Sequence, residues 1–461
     1  MKNNKQYKNK KNVKKQTGQK SEPVEVKCIA SDESGRGLIE YENKRISIPY
    51  LIEGEKALVR ISKQGKHTNA KIVSIKEKSK NRVEPKCKYF YECGGCQLQH
   101  LSYEAQLSLK ENYVRNLMKS FGKVQNIISM EDPYNYRNKV NSAFASTRDR
   151  EIVSGFYKEF SHDIIPIERC IIQDERADKI LKTIRELVKS FKIKPYKEDY
   201  HEGFLRHVLI KTGFKSNQIM VVFVVSNKIF PSKNNFMKVL REKHPEISTI
   251  IMNINNKSTS VVLGNNETVV YGKGVIEDTL CGFTFQISAK SFYQINPVQT
   301  EKLYNKAIEF ADLKGNEVVL DAYSGIGTIS LIASKKASEV IGVEINRDAV
   351  QNAIKNARIN KVKNVKFYQG DAGEFMMALA KDKIHIDTVF MDPPRNGSDE
   401  KFLSSIASLK PKKIVYISCN PTTQSRDLKY LTSRGYRVGK IQPVDMFPHT
   451  SHVEAVTLLT K

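Results

Sequence analysis

Between residues 22 and 80 short runs of alternating apolar and polar residues, VEVKCIA, RISIPY, ALVRI and AKIVSI, are parted by glycine-containing turns (ESGRG, IEGEK, KQGKH). Period-two patterning at this spacing predicts the short strands of a small β-barrel. A helix is predicted from Tyr103 to Phe121, where Leu107, Val114, Leu117 and Met118 fall near helical spacing. From 136 to about 288 the strand-like runs HVLIKT, IMVVFVV and STIIMNI mix with helical stretches at 174–191 and 234–243, which predicts an α+β middle domain. After about 290 the rhythm becomes strict: VVLDAY, EVIGVEI, VKFYQ, HIDTVFMD and KIVYIS are each followed by a helical pattern. That alternation predicts a parallel, doubly wound α/β sheet with right-handed crossovers. RVGKIQPVDM and HVEAVTLLT follow with no helix between them, so the last strand should run antiparallel.

A length of 461 residues accommodates several domains. The pattern divides them into a tail (1–20), a β-barrel (21–80), a central domain (81–289) and the doubly wound domain (290–461). The tail holds eight lysines, no acids and one aliphatic residue, Val13, too little apolar surface to order itself. Charge sharpens the picture: 76 Lys and Arg against 50 Asp and Glu leave a net +26, a field that concentrates polyanions such as RNA. The longest apolar run, Ile219 to Val225, has seven residues, against the roughly eighteen a membrane span needs. No apolar segment follows the N-terminal lysines, so a secretory signal is not expected and a cytoplasmic location is; the protein is expected to be a monomer. Seven cysteines, an odd number in such a compartment, point to metal or catalytic use rather than disulfides.

Ligands of an open α/β sheet bind beyond the carboxyl ends of its strands. The first such strand runs into Asp321-Ala-Tyr-Ser-Gly-Ile-Gly327, and the second ends in Glu344, placed to accept hydrogen bonds from ribose hydroxyls. The third, fourth and fifth lead into Gly370-Asp-Ala372, Asp392-Pro-Pro-Arg395 and Ser418-Cys-Asn-Pro421. A dinucleotide-binding dehydrogenase would carry a third glycine where Ser330 stands. With its later acids the set resembles the class I, Rossmann-like S-adenosylmethionine-dependent methyltransferases.

Cys419 lies just past KIVYIS, at the ligand edge. Methylating carbon 5 of a pyrimidine requires such a nucleophile, because a thiolate added at carbon 6 generates the enolate that attacks the methyl donor. A base must then remove the carbon 5 proton. If HVEAVTLLT is antiparallel, Glu454 at its start lies at the same edge and shares the pocket with Cys419. Asp392-Pro-Pro-Arg395, Ser418-Cys-Asn-Pro421 and His452-Val-Glu454, with Ser291-Phe-Tyr-Gln-Ile-Asn-Pro297 upstream, resemble the bacterial RNA (uracil-5-)-methyltransferase family from about residue 85 onward. The resemblance implies Cys419 as nucleophile, Glu454 as base, and Gln294, Tyr323, Glu344 and Asp392 as contacts of S-adenosylmethionine. Residues 22–80 resemble the TRAM domain, an OB-like RNA-binding barrel. Tyr136-Arg-Asn-Lys139 resembles an RNA-facing segment of the family and equally fits a solvated basic turn.

Cys87, Cys93, Cys96 and the distant Cys170 supply four soft ligands, suited to tetrahedral zinc or to an iron-sulfur cluster, and spacing alone does not separate them. CKYFYECGGCQLQH resembles the 4Fe-4S segment of the ribosomal RNA members of the family, which implies a cluster with Cys170 as fourth ligand. Cys28 and Cys281, in strand-like runs, are expected in cores. The barrel and the four cysteines resemble the ribosomal branch of the family, and the resemblance implies 23S ribosomal RNA rather than transfer RNA as substrate. Adenine amino methylation would need an aromatic where Arg395 stands, and cytosine-5 methylation a Pro or Thr where Ser418 stands. A non-catalytic iron-sulfur assembly factor would not need the intact acids and Cys419.

Overall fold

The computed structural model describes residues 22–461 except 65, 66, 159, 160, 162 and 260; the basic tail expected over 1–20 lies outside the described residues. The chain divides after Arg82 into two compact units. In the first, the strands β1 (Val24–Lys27), β2 (Ala30–Ser31), β3 (Gly37–Tyr41), β4 (Lys44–Ile48), β5 (Lys56–Gln64) and β6 (His67–Glu77) form two antiparallel sheets, ordered β1-β5-β6 and β2-β3-β4. The chain passes between the sheets within two residues: the Cys28 N–H bonds the Glu55 carbonyl and the Ile29 N–H bonds the Leu38 carbonyl. Alternate residues of both sheets, among them Ile39, Ile48, Ala57 and Val59, are wholly buried in one core. The expected strands are present, but among the described residues they form two separate three-stranded sheets and no closed barrel is found.

The second unit opens with a short turn of helix, α1 (Phe90–Cys93), and with α2 (Tyr103–Met118), whose N-cap Ser102 accepts the Ala105 N–H. It ends three residues earlier than its periodicity predicts, because the Phe121 N–H bonds back to Met118 and Gly122 turns the chain. Its innermost stripe also departs from expectation. Gln106 and Lys110 are buried with Val114 and Met118, while Leu107 and Leu117 are only half-buried. The buried Lys110 ammonium donates to Asp445 at 2.5 Å and to the Phe447 carbonyl at 3.0 Å, and the Tyr103 hydroxyl donates to the second Asp445 oxygen at 2.8 Å. Gln106 accepts the His449 N–H at 3.1 Å. A polar helix face therefore anchors the loop that leads to Glu454. Lys110→Met should destabilise this unit by about 3–5 kcal/mol in denaturant titrations, because it leaves the Asp445 charge buried and unpaired. Lys110→Met with Asp445→Leu should recover much of that loss.

A seven-stranded sheet follows, ordered β13-β12-β11-β10-β7-β8-β9, from β7 (Lys139–Ser146), β8 (Ile152–Tyr157), β9 (Ile164–Pro166), β10 (Leu205–Thr212), β11 (Ile219–Val225), β12 (Ile247–Ile254) and β13 (Asn266–Tyr271). All its neighbours are antiparallel except β11 and β12. The amphipathic helices α3 (Glu175–Ser190) and α4 (Lys233–Lys243) share a core with β10 and β11. The hairpin β14 (Val275–Leu280) and β15 (Phe283–Ser288) leads to α5 (Pro297–Ala311).

The last sheet contains β16 (Val318–Asp321), β17 (Glu339–Glu344), β18 (Val365–Gln369), β19 (Thr388–Met391), β20 (Lys413–Ser418), β21 (Arg437–Val444) and β22 (Glu454–Thr460), ordered β18-β17-β16-β19-β20-β22-β21. The first five are parallel and β22 is antiparallel to both neighbours, as the missing helix before it predicts. Between the strands lie α6 (Thr328–Ser334), α7 (Arg347–Ile359), α8 (Ala372–Lys381), α9 (Glu400–Leu409) and α10 (Pro421–Ser433). The two central strands β19 and β20 are buried almost throughout, which is why they read as continuous apolar runs.

Candidate active site

Because β16 to β20 run parallel, their polar terminal residues collect along one edge of the sheet. Asp321 and Glu344 close β16 and β17, Asp392 follows β19, and Cys419 follows β20. The register pairs Ser418 with Ala455 and Val444 with Glu454, so Glu454 opens β22 at the level where β20 ends. Its side chain is 3% exposed.

Burial and mutual repulsion govern the protonation of this edge. The Glu454 carboxyl is pushed up to about 8, chiefly by burial and then by Asp392. Asp392 is pushed up to about 7 by burial and by Asp321, and Asp321 to about 6 by burial, against a hydrogen bond from Ser330. Ser330 donates to one Asp321 oxygen at 2.6 Å, and the other, buried, has no hydrogen-bond partner. Carboxyls raised in this way are ionised fully only when positive charge arrives, so the edge is complementary to a cation. The Cys419 thiol is itself pushed up to about 11, by burial first and then by Glu454 and Asp392, with Arg395 opposing them. Iodoacetamide labelling of Cys419 in the cofactor-free protein should therefore keep rising with pH beyond the ordinary thiol range, as followed by mass spectrometry.

Beside these groups a cavity of about 460 Å³ is lined by Ser291, Phe292, Gly325, Ile326, Glu344 and Asn346. The Glu344 carboxylate is held by the backbone N–H groups of Gly325 at 3.1 Å and Asn346 at 2.8 Å. Gly327, at φ +86°, has no alternative, since a Cβ there would lie 2.8 Å from the Phe367 ring. The half-buried Tyr323 ring packs on Phe402 with centroids 5.0 Å apart. Gln294 is buried, its carbonyl accepting from the Asn138 side chain at 3.0 Å.

Sequence reasoning missed Tyr304. It is buried on α5, and burial first and then the charge of Asp392 raise its pKa. An aromatic at helical spacing gives no signal that separates it from the core. His452, a partner of Arg395 at 3.4 Å, is legible only through the motif that contains it. The Tyr136–Lys139 segment is not a solvated turn. Tyr136 and Asn138 are buried ties to Pro448 and Gln294, and Arg137 and Lys139 turn toward the cysteines.

Cys87, Cys93, Cys96 and Cys170 line one further cavity, of about 310 Å³, and none forms a disulfide. Burial is the leading cause that raises the thiols of Cys93, Cys96 and Cys170. Among the described residues no group of three or more His, Cys, Asp or Glu side chains is placed to hold a metal ion. Cys28 is buried as expected. Cys281 is instead a half-buried residue at the β14–β15 turn, with φ +49°. Among the described residues no helix is long and apolar enough to cross a membrane.

Comparison with known proteins is consistent with this edge chemistry. An uncharacterized RNA methyltransferase of Caldanaerobacter subterraneus is 42% identical over 95% of this chain and 98% of its own. One of Clostridium tetani is 44% identical over 92% and 94%. The crystal structure of Pyrococcus abyssi tRNA (uracil-54, C5)-methyltransferase in complex with S-adenosyl-L-homocysteine superposes with a TM-score of 0.78, at 26% identity, over 95% of this chain and 100% of that one. The tRNA (Uracil-5-)-methyltransferase family model matches residues 102–461, which contain every residue of the carboxyl edge. The chain therefore belongs to the tRNA (uracil-5-)-methyltransferase family of RNA-methylating enzymes.

Proposed function

We propose that this protein methylates carbon 5 of a uridine in RNA through a covalent bond between Cys419 and the base. The observation that carries this reading is the meeting of Cys419 and Glu454 at one sheet edge, which the antiparallel β22 brings about. S-adenosylmethionine, held along Gln294, Tyr323, Glu344 and Asp392, supplies the methyl group as a cationic sulfonium, for which the orphaned Asp321 oxygen and the raised carboxyls fit the crevice. Cys419 adds its sulfur to carbon 6 of the uracil, and the displaced electron pair at carbon 5 takes up the methyl group. Glu454 then accepts the proton of carbon 5, and the electrons of that bond expel the thiolate. Arg395 offsets the two carboxylates that disfavour the thiolate. A stacked uridine cannot reach the thiol, so the base is swung out of the RNA.

The domains 21–80, 81–289 and 290–461 divide this work: a TRAM-like RNA-holding module, a central RNA-binding domain and the methyltransferase. The protein acts in the cytoplasm as a monomer. The substrate we favour is 23S ribosomal RNA, on the N-terminal β module and the four cysteines; the name of the Pyrococcus relative favours transfer RNA as a second reading. Mapping 5-methyluridine in both RNAs from a deletion strain decides between them, and loss from neither overturns the activity.

Cys87, Cys93, Cys96 and Cys170 hold a 4Fe-4S cluster. The four soft thiolate donors line one cavity and suit iron-sulfur ligation, with a single tetrahedral zinc as the alternative occupant. Anaerobically purified protein should be brown, with a broad visible absorbance that Cys93→Ala removes. Colourless protein with one equivalent of zinc would overturn the assignment.

A further inference from the structure

A cavity of about 420 Å³ in the second unit shares Asn141 with the cysteine cavity and otherwise takes no part in the chemistry described so far. Its floor is built from the β7–β8–β10 part of the central sheet. Arg206 and His207 are consecutive on β10, and strand alternation would normally send them to opposite faces. A register shift in the β10–β11 pairing between Leu205 and His207 lets both line the cavity. Bulges that re-aim side chains in this way are frequent beside functional sites. Arg206, His207 and Asn255 are buried, whereas Val261 at the mouth is 62% exposed, so the cavity opens to solvent.

We propose that this cavity takes one unstacked nucleobase of the bound RNA, read by hydrogen bonds to His207 and Asn141. The proposal rests on the RNA substrate inferred above. Two buried polar atoms here have no partner, Nδ1 of His207 and Oδ1 of Asn141, although His207 is only 8% exposed. Buried polar groups are ordinarily satisfied, so two orphans on one cavity wall mark where a ligand would donate and accept. The site is not one for phosphate. The Arg206 guanidinium is committed to Glu198 at 2.9 and 2.7 Å and to the carbonyls of Asn255 and Lys257 at 3.0 and 2.8 Å. Burial and the neighbouring Arg206 depress the His207 pKa to about 4, so its ring is neutral at physiological pH, with one donor and one acceptor. The Tyr157 ring stands edge-on to His207 at 6.0 Å, and Val261 and Val262 add apolar wall. Neutral hydrogen-bonding groups between apolar and aromatic surfaces suit a flat heterocycle whose backbone stays outside, the usual mode by which proteins read splayed-out RNA bases.

Saturation-transfer NMR on the full chain, with adenosine, guanosine, cytidine and uridine as separate probes, tests the inference. At least one nucleoside should show transfer to its base protons, and an unmodified 23S ribosomal RNA transcript should compete it away. His207→Leu, and Val261→Trp at the exposed mouth, should each weaken that binding by about tenfold, the scale of one lost base contact. Absence of base-proton transfer for all four, or binding unchanged in both variants, overturns the proposal. Nucleoside binding that RNA does not compete also overturns it and assigns the cavity to a free nucleoside. If 5-fluorouridine RNA forms no adduct at Cys419 while RNA still competes with the nucleoside, the methylation reading fails and the base cavity stands.

Discussion

Replacing Cys419 with alanine should leave RNA and S-adenosylmethionine binding within about twofold and lower methyl transfer by on the order of 10⁴-fold. Without the sulfur at carbon 6, carbon 5 of uracil never acquires the electron pair that attacks the methyl group. The substitution removes a half-buried side chain from a loop end, so the fold should survive it. The measurement is single-turnover transfer of labelled methyl into RNA beside filter binding of the same RNA. Transfer near the wild-type rate would remove Cys419 from the mechanism, and parallel loss of RNA binding would make it a structural residue.

Glu454→Gln should stop the reaction later. The amide keeps nearly the shape of the carboxyl at this buried position but cannot accept the carbon 5 proton. Addition and methyl transfer still proceed, so a methylated RNA–protein adduct should accumulate, visible as a slow-migrating band that carries methyl label and requires Cys419. Product release should fall by roughly 10²–10⁴-fold, the usual contribution of a positioned base. In the wild type the base must lose its own proton before it can act, and its carboxyl titrates at about 8 in the empty site. Release should therefore rise with pH up to that range. Release at an unaltered rate would mean that another residue is the base.

Much of the catalytic sheet is legible in the chain because its central strands are buried on both faces and run into polar residues at the turns that follow. VVLDAY, EVIGVEI and KIVYIS mark both the strands and the edge where Asp321, Glu344 and Cys419 collect. The N-terminal unit is legible only as strands. Alternation specifies which residues face the core, but whether the sheets close depends on ladder lengths and register shifts, and these are decided between strands. Tyr304 and Lys110 are hidden for a related reason. An aromatic on a helix reads as core and a lysine as surface, and only the charges that distant segments bring near them, those of Asp392 and Glu454 in one case and of Asp445 in the other, reverse those expectations.

What the sequence by itself determined, then, is the order of the elements, the doubly wound α/β class of the C-terminal half and the residue types at each strand end, because burial periodicity and turn chemistry are local properties of a chain. The tertiary structure alone decided that four sulfurs 83 positions apart at most share a cavity. It alone decided that a bulge turns His207 beside Arg206, and that the carboxyls of Asp321, Asp392 and Glu454 are raised together. Desolvation and charge repulsion act through space, over distances of a few ångströms between groups far apart in the chain, and no local pattern records them.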